Sequence, residues 1–276
     1  MKGEKILKFI GGGAALAAFG VLYFLEKRRP LRDSVESKLV RNGRNLAVAS
    51  LSAIALQIVE SPVIEPLTKL VESKKIGLLK ITRLPRFLEN LLAVGLLDYT
   101  LYIWHVLTHR VPFLWRFHVV HHLDLDLDAS TALRFHFGEM IISVAWRAAQ
   151  VLIIGVSPTS FKMWQMFLFP SILFHHSNVK LPKNVEEKLA YIIVTPRLHG
   201  IHHSDVKCET DSNWSSGLSI WDRLHGTFKT GVAQDEIVIG VPAYQKLSEV
   251  GLQKILRLPF EKQKSSWYLR ETNSDI

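Results

Sequence analysis

Cysteine is nearly absent from this chain: Cys208 stands alone in 276 residues. That excludes an intrachain disulfide framework, a cysteine-based zinc ribbon and an iron–sulfur site, each of which needs more than one thiolate. Histidine is missing before His105 and after His225, yet the stretch from one to the other holds twelve, those two included. Any metal chemistry therefore rests on nitrogen and oxygen ligands concentrated in one part of the chain. The net charge is +9, but the basic residues sit in clusters between apolar runs and do not interleave with aromatic platforms. No nucleic-acid module is recognisable in that arrangement, and the charge reads as orientation in a membrane.

Apolar residues are abundant: 48% of the chain is hydrophobic and the mean hydropathy is +0.15, values suited to a protein that sits in lipid. The first run, "ILKFIGGGAALAAFGVLYFL", is about 20 residues long, enough to span, and ends in the basic flank "EKRR", which predicts a retained anchor rather than a cleaved signal. A second run begins near Leu46 and continues through "ESPVIEPL"; a third, "FLENLLAVGLLDYTLYIWH", carries Glu89 and Asp98 inside it. Acids within such a run usually face a bundle interior, so Asp98 either orients a ligand imidazole or makes a helix-packing hydrogen bond. Two shorter runs flank "SPTS" and predict a helical hairpin turned at Pro158. A hairpin returns the chain to the side it left, which places all the histidines on one membrane face. The basic loop over 26–45 favours the cytoplasm for that face. The charged end of the chain, from Glu261, reads as poorly ordered.

The histidines form four clusters: "HVLTH" (His105, His109), "HVVHH" (His118, His121, His122), "FHHSN" (His175, His176) and "HGIHH" (His199, His202, His203). Residues at i, i+3 and i+4 share one helix face, so the first, second and fourth clusters are each expected to converge on one point. A single zinc ion saturates at about four ligands, and these three clusters hold eight histidines, so two metals are the economical reading. "FHVVHHLD" and "LHGIHHSD" share the form H-x-x-H-H-x-D, as though two halves contribute equivalently. Asp124 and Asp205 are candidates to orient ligand imidazoles, with solvation or helix capping as the alternative. His136, in "LRFHFGE", is intermediate, because Arg134, His136 and Glu139 can support a ligand as easily as act as one. His225 has no ligand spacing and is expected to bind no metal.

The stretches "HVLTHRVPFLWRFHVVHH", "LRFHFGE", "HHSNVKLP", "VTPRLHGIHHSD" and "DSNWSSGLSIWDRLHGTF", in that order, resemble the fatty acid hydroxylase and sterol desaturase superfamily of integral-membrane non-haem di-iron oxygenases. The resemblance covers roughly residues 90–230. It implies metal ligation by His105, His109, His118, His121, His122, His199, His202 and His203. It adds His176, which sits two residues before Asn178, and leaves His175 and His136 as less certain ligands; Asn178 joins Asp98, Glu139, Asp124 and Asp205 as a supporting residue. Two positions depart from the family pattern: Phe137 stands where a proline is usual, and His225 where an aromatic is usual.

An all-α membrane bundle of about four to five helices or half-helices follows from these readings, capped by a cytosolic histidine-rich region. The expected organisation is an anchor over 1–30, a linker with the second membrane segment over 31–90, the resembling catalytic domain over 91–230, and a cytosolic tail over 231–276. By the resemblance, the protein is an oxidoreductase that uses two iron ions and O2 to hydroxylate or desaturate a membrane lipid of sterol, hopanoid, carotenoid or fatty acyl type. The location implied is a bacterial inner membrane with the site facing the cytoplasm. No flavin fingerprint or cytochrome domain is recognisable, so a separate ferredoxin or b-type cytochrome with its reductase is implied. Lys180, Lys183, Arg197 and Arg223 are candidates to dock it. Trp146, Met163, Trp164, Met166, Phe167 and Phe169 are candidates to line a lipid pocket. Two other functions use the same histidines: a zinc hydrolase or lyase with Glu139 as a base, and a non-catalytic metal-binding or transport protein.

Overall fold

The computed structural model describes residues 17–81 and 84–267; the start of the expected anchor (1–16) and the end of the tail (268–276) lie outside them. Among the described residues there is no strand, only three isolated bridges. Residues 17–28 are helical, and the later helices of six residues or more are numbered here from α1.

Prolines and glycines explain where the long helices bend and stop. Helix α1 (Lys38–Ala55) runs through a π-turn (Leu56–Glu60) into α2 (Ser61–Lys74). Pro62 lacks an N–H and crowds the carbonyl four residues earlier, and the wider turn just before it accommodates both effects. Helix α2 ends at Lys75, which takes the left-handed conformation with φ 56°. Helix α3 (Arg86–Arg110) is about 37 Å long at 1.5 Å per residue, longer than a bilayer core of ~30 Å. It stops at Val111 because the following Pro112 disfavours helical geometry there, and Pro112 then opens α4 (Pro112–His122). The chain thus turns a corner between His109 and His118, bringing two histidine-bearing segments face to face. Helices α5 (Phe137–Ile154) and α6 (Pro158–His176) form the expected hairpin. Gly155, with φ 86°, closes α5, and Ser157 caps α6 by accepting from the Ser160 N–H at 3.0 Å.

Among the described residues, three helical stretches are long and apolar enough to cross a membrane: Lys38–Ile81, Arg86–Arg110 and Phe137–Ile154. Helix α6, which carries Lys162 and Pro170, is not among them and supplies the return arm of the hairpin. Ile58, Phe87, Ile153 and Met166 are each two-thirds or more exposed on these helices, an outward apolar surface suited to lipid. At one end of the bundle, the turns at Gly77 and Gly155 meet so closely that a Cβ on Gly77 would collide with Gly155 backbone. Above that end, Ile64, Val71, Leu97, Val151, Ile154 and Trp164 form an apolar core. At the other end the interior is polar and holds the histidines. The last described segment also packs there: Val241, Tyr244, Ile255 and Leu258 share a core with Val119, Val120 and Leu123 of the α4 region. Ser266 accepts a hydrogen bond from Trp115, so the chain beyond Glu261 is tied to α4 at that point.

Candidate metal centre

Helix α3 presents His105 and His109 on one face, α4 ends in His118, His121 and His122, and α6 ends in His175 and His176. The helix Lys183–Leu189 (α7) precedes α8 (Pro196–His202), which contributes His199 and His202, with His203 as its cap. These segments converge in two groups. In one, candidate ligand atoms of His105, His109, His122 and His202 lie within 4.8 Å of one another; in the other, those of His121, His176, His199 and His203 do the same. The sequence reading had each cluster converge on a single point, and here the structure differs: "HVVHH" and "HGIHH" are each divided between the groups. Adjacent helical residues point about 100° apart, so the neighbours His121 and His122 aim at different places, as do His202 and His203. The repeated H-x-x-H-H form is what lets two short helices each serve both groups.

The hydrogen bonds set the tautomers. His105 Nδ1 donates to the Trp214 carbonyl at 2.6 Å, His202 Nδ1 to the Ser212 carbonyl at 2.8 Å, and His176 Nδ1 to the Ile172 carbonyl at 2.7 Å. A carbonyl only accepts, so each Nδ1 carries the proton and each Nε2 is left with a lone pair. The Nε2 atoms of His105 and His202 then face each other at 3.1 Å. A shared proton between buried rings is disfavoured: burial pushes His202 down to about 3 despite the Ser212 carbonyl, and burial, followed by the neighbouring rings, holds His122, His199 and His203 well below the usual imidazole range. Neutral, lone-pair-bearing, converging nitrogens fit a borderline divalent metal such as iron or zinc.

The carbonyls that fix His105 and His202 belong to one loop, and two carboxylates hold it. Asp222, on α9 (Ile220–His225), accepts from the N–H groups of Trp214 and Ser215 at 2.8 and 3.0 Å. Asp98 of α3 accepts from the Leu218 N–H at 2.9 Å and from Trp221 Nε1 at 2.7 Å. Asp98 therefore touches no imidazole directly but anchors the loop that does. Asp222 went unnoticed in the sequence, where its only signal is a place in the "IWDRLHGTF" stretch.

Other expected residues take different places. His118 donates from Nδ1 to Glu139 Oε1 at 2.9 Å, leaving Nε2 buried without a protein partner. Its ring lies 5.1, 4.8 and 5.1 Å from those of His105, His109 and His122. His175 packs 4.1 Å from the His199 ring and contacts the Ser216 backbone, beside the second group but not within it. His136 stands apart: its Nδ1 accepts from the Gly138 N–H, capping α5, and its Nε2 faces the Leu256 carbonyl. His225 is exposed and faces Tyr99 Oη at 3.1 Å.

Asp124 orients no imidazole. Its carboxylate meets Arg41, Asn45 and Thr131, with Arg44 and Arg134 close by, because it leaves α4 on the side away from the cage. Burial works against its charge, but Arg41 and Arg134 more than compensate and hold it below the ordinary aspartate value. Asn178 likewise serves the backbone, bonding the Arg32 N–H and carbonyl at 2.9 and 2.8 Å. Asp205 is buried, and its N–H donates to the Val238 carbonyl. Of the apolar candidates, Met163, Met166 and Phe169 are exposed outward, Trp164 is buried against Phe161, and Trp146 packs on Trp104.

Comparison with known proteins bears on this arrangement. A family model described as fatty acid hydroxylase matches residues 90–227, half of the chain. An ornithine lipid hydroxylase of Rhizobium tropici is 32% identical over 158 residues, covering 57% of this chain and 46% of that protein. The alkylglycerol monooxygenase of Homo sapiens is 30% identical, covering 51% and 30% respectively, and the human cholesterol 25-hydroxylase is 28% identical, covering 49% of each. The chain spans about half or less of the length of these curated relatives. No solved structure matches. The matched interval contains every histidine of the chain and both four-histidine groups, and the chain accordingly belongs to the fatty acid hydroxylase family.

Proposed function

We propose that this protein is a membrane-embedded di-iron oxidoreductase that uses O2 to hydroxylate or desaturate a C–H bond of a membrane lipid. The observation that carries the reading is the pair of four-histidine groups, seven of the eight rings buried and His109 half-buried, at one end of an apolar helical bundle. The relatives are named for an ornithine lipid, an alkylglycerol and cholesterol, which supports a lipid substrate, of sterol, hopanoid, carotenoid or fatty acyl type in our reading. His105, His109, His122 and His202 would hold one iron, and His121, His176, His199 and His203 the other, with His118 beside the first group and His175 beside the second. Bound there, the metals would supply the oxidising power to activate O2 and cut an unactivated C–H bond.

The rest is done by this chain's own residues. The Trp214, Ser212 and Ile172 carbonyls keep three imidazoles in the tautomer that offers Nε2 inward. Glu139 holds the Nδ1 proton of His118 and so keeps its Nε2 free to ligate. Trp214, 1% exposed, packs 5.8, 4.6 and 5.4 Å from the rings of His105, His109 and His202, while Phe135 stacks on His121 at 4.3 Å; these rings exclude water. The apolar helices admit a substrate dissolved in the bilayer. With a single cysteine, the electrons come from a separate ferredoxin or b-type cytochrome with its reductase. Of the four basic residues considered for its docking, Arg197 is paired with buried Glu186, whereas Lys180, Lys183 and Arg223 are exposed, Lys183 beside Glu187 and Arg223 over Phe228. Arg41 and Arg44, from the basic loop region, lie at the histidine end, which supports a cytoplasmic site in a bacterial inner membrane.

Metal analysis with Mössbauer spectroscopy on detergent-purified protein tests the reading. About two irons per chain with an antiferromagnetically coupled signal support it. Two zincs that iron cannot replace to give oxygen reactivity would overturn it in favour of hydrolysis.

A further inference from the structure

Trp115, on α4, is half-buried against the first histidine group, its ring 4.9 Å from His109 and 5.6 Å from His122. On its other side it stacks on Trp267, 6.1 Å away with 29° between planes. The Trp115 Nε1–H donates to Ser266 Oγ at 3.0 Å, so the two indoles are joined by a hydrogen bond between their segments as well as by the stack. Arg116 fixes the segment further: its Nε donates to the Pro259 carbonyl at 2.9 Å and its Nη2 to the Glu261 carbonyl at 2.7 Å. Trp267 itself is partly exposed. An unbroken line of rings therefore runs from the first histidine group to solvent. Trp214, also packed on that group, is sealed from solvent.

Direction follows from redox chemistry. An electron moving inward from a mild biological donor never resides on an indole, which is very hard to reduce. An oxidant able to cut an unactivated C–H bond, by contrast, is strong enough to remove an electron from one. Resting on the metal reading above, we infer that Trp115 and Trp267 form a relay that carries oxidising equivalents from the histidine groups to the protein surface when no lipid C–H bond is in place.

Trp115 gives one electron to the oxidised centre and keeps its N–H on Ser266 Oγ. Trp267 then refills Trp115 with one electron. A thiol in the surrounding water returns an electron to Trp267 and loses its proton to solvent, two thiols yielding one disulfide for every two electrons passed. The relay spares the imidazoles and the sealed Trp214, which otherwise take the oxidation themselves.

The test uses the full-length, iron-loaded protein in lipid-free detergent, supplied with O2 and a chemical reductant without added thiol. Oxygen adducts are mapped by peptide mass spectrometry, and an indole radical is sought by freeze-quench electron paramagnetic resonance. Wild-type protein should concentrate adducts on Trp267. Trp115→Phe should retain its iron, lose Trp267 adducts to the level of the metal-free control, and gain adducts on Trp214 and the histidines. Ser266→Ala removes the same hydrogen bond but keeps both indoles, and should retain the Trp267 adducts. Trp267 adducts at wild-type level in Trp115→Phe, or at equal level with and without iron, overturn the relay alone. A chain that binds no redox metal overturns the relay and the metal reading together.

Discussion

The Asp98 carboxylate, in the middle of a helix long and apolar enough to cross a membrane, accepts the backbone N–H of Leu218 at 2.9 Å. With the Trp221 bond to the same carboxylate, that contact ties the bundle to the loop whose carbonyls fix His105 and His202. Asp98→Asn keeps the shape but weakens the acceptor offered to Leu218 and Trp221, so the loop loosens without losing a ligand. Metal affinity should fall by about 10–100-fold, the usual cost of losing support behind a ligand. Competition titration against a chelator checks this, and unchanged affinity would remove Asp98 from the account.

His202→Ala and His121→Ala each remove one ring from a different group. Each variant should retain about one metal ion per chain instead of two, and lose activity. His225→Ala, which alters an exposed ring against Tyr99, should keep both. Inductively coupled plasma mass spectrometry on the three proteins decides the matter.

The metal-free protein should lose stability in acid. His202 is held at about 3 in the fold by burial, against about 6.5 when unfolded, and His122, His199 and His203 shift the same way. Above the unfolded value both states are neutral and the linkage vanishes. Below it the unfolded chain takes up protons that the folded chain refuses, so stability declines from about pH 6.5 toward pH 3. Thermal midpoints of chelator-treated protein across that range should fall steadily, with a metal-loaded sample holding its midpoint further into the window.

Asp124→Ala should be severe for stability, not for ligand geometry. It would leave Arg134, 0% exposed, without its carboxylate, while Arg41 keeps Asp126 and Asp128, and breaking such a buried pair costs about 3–5 kcal/mol. Denaturant unfolding measures it.

Gly217→Ala tests how tightly the loop sits on α3. A Cβ there would lie 2.6 Å from the Phe167 ring and closer still to the Asp98 carboxylate. Forced overpacking of this kind costs about 1–3 kcal/mol, so the thermal midpoint should drop; an unchanged midpoint would mean the loop yields freely.

Much of this was legible in the chain because helical spacing is a local code. The His105/His109 pair, the two H-x-x-H-H segments and the Pro158 hairpin follow from offsets of three and four residues and from proline chemistry. The division of His121 from His122 was also latent in the 100° step between neighbours, but naming their destinations requires knowing what lies opposite each face. Supporting contacts were hidden for another reason. Backbone carbonyls such as those of Ser212 and Trp214 leave no mark on residue identity, and Asp98 meets Leu218 across 120 residues. Asp124 misled because adjacency to His122 in the chain says nothing about direction: the carboxylate turns toward Arg41.

Helix α8 is seven residues long, yet it and its cap residue supply His202 to one group and His199 and His203 to the other. Neither group is complete until this late segment has arrived. During synthesis, then, the long apolar helices are made and the first five cage histidines are in place before either group can close; on the proposed two-metal reading, loading would be the final act of assembly, timed for both ions by one short turn of chain.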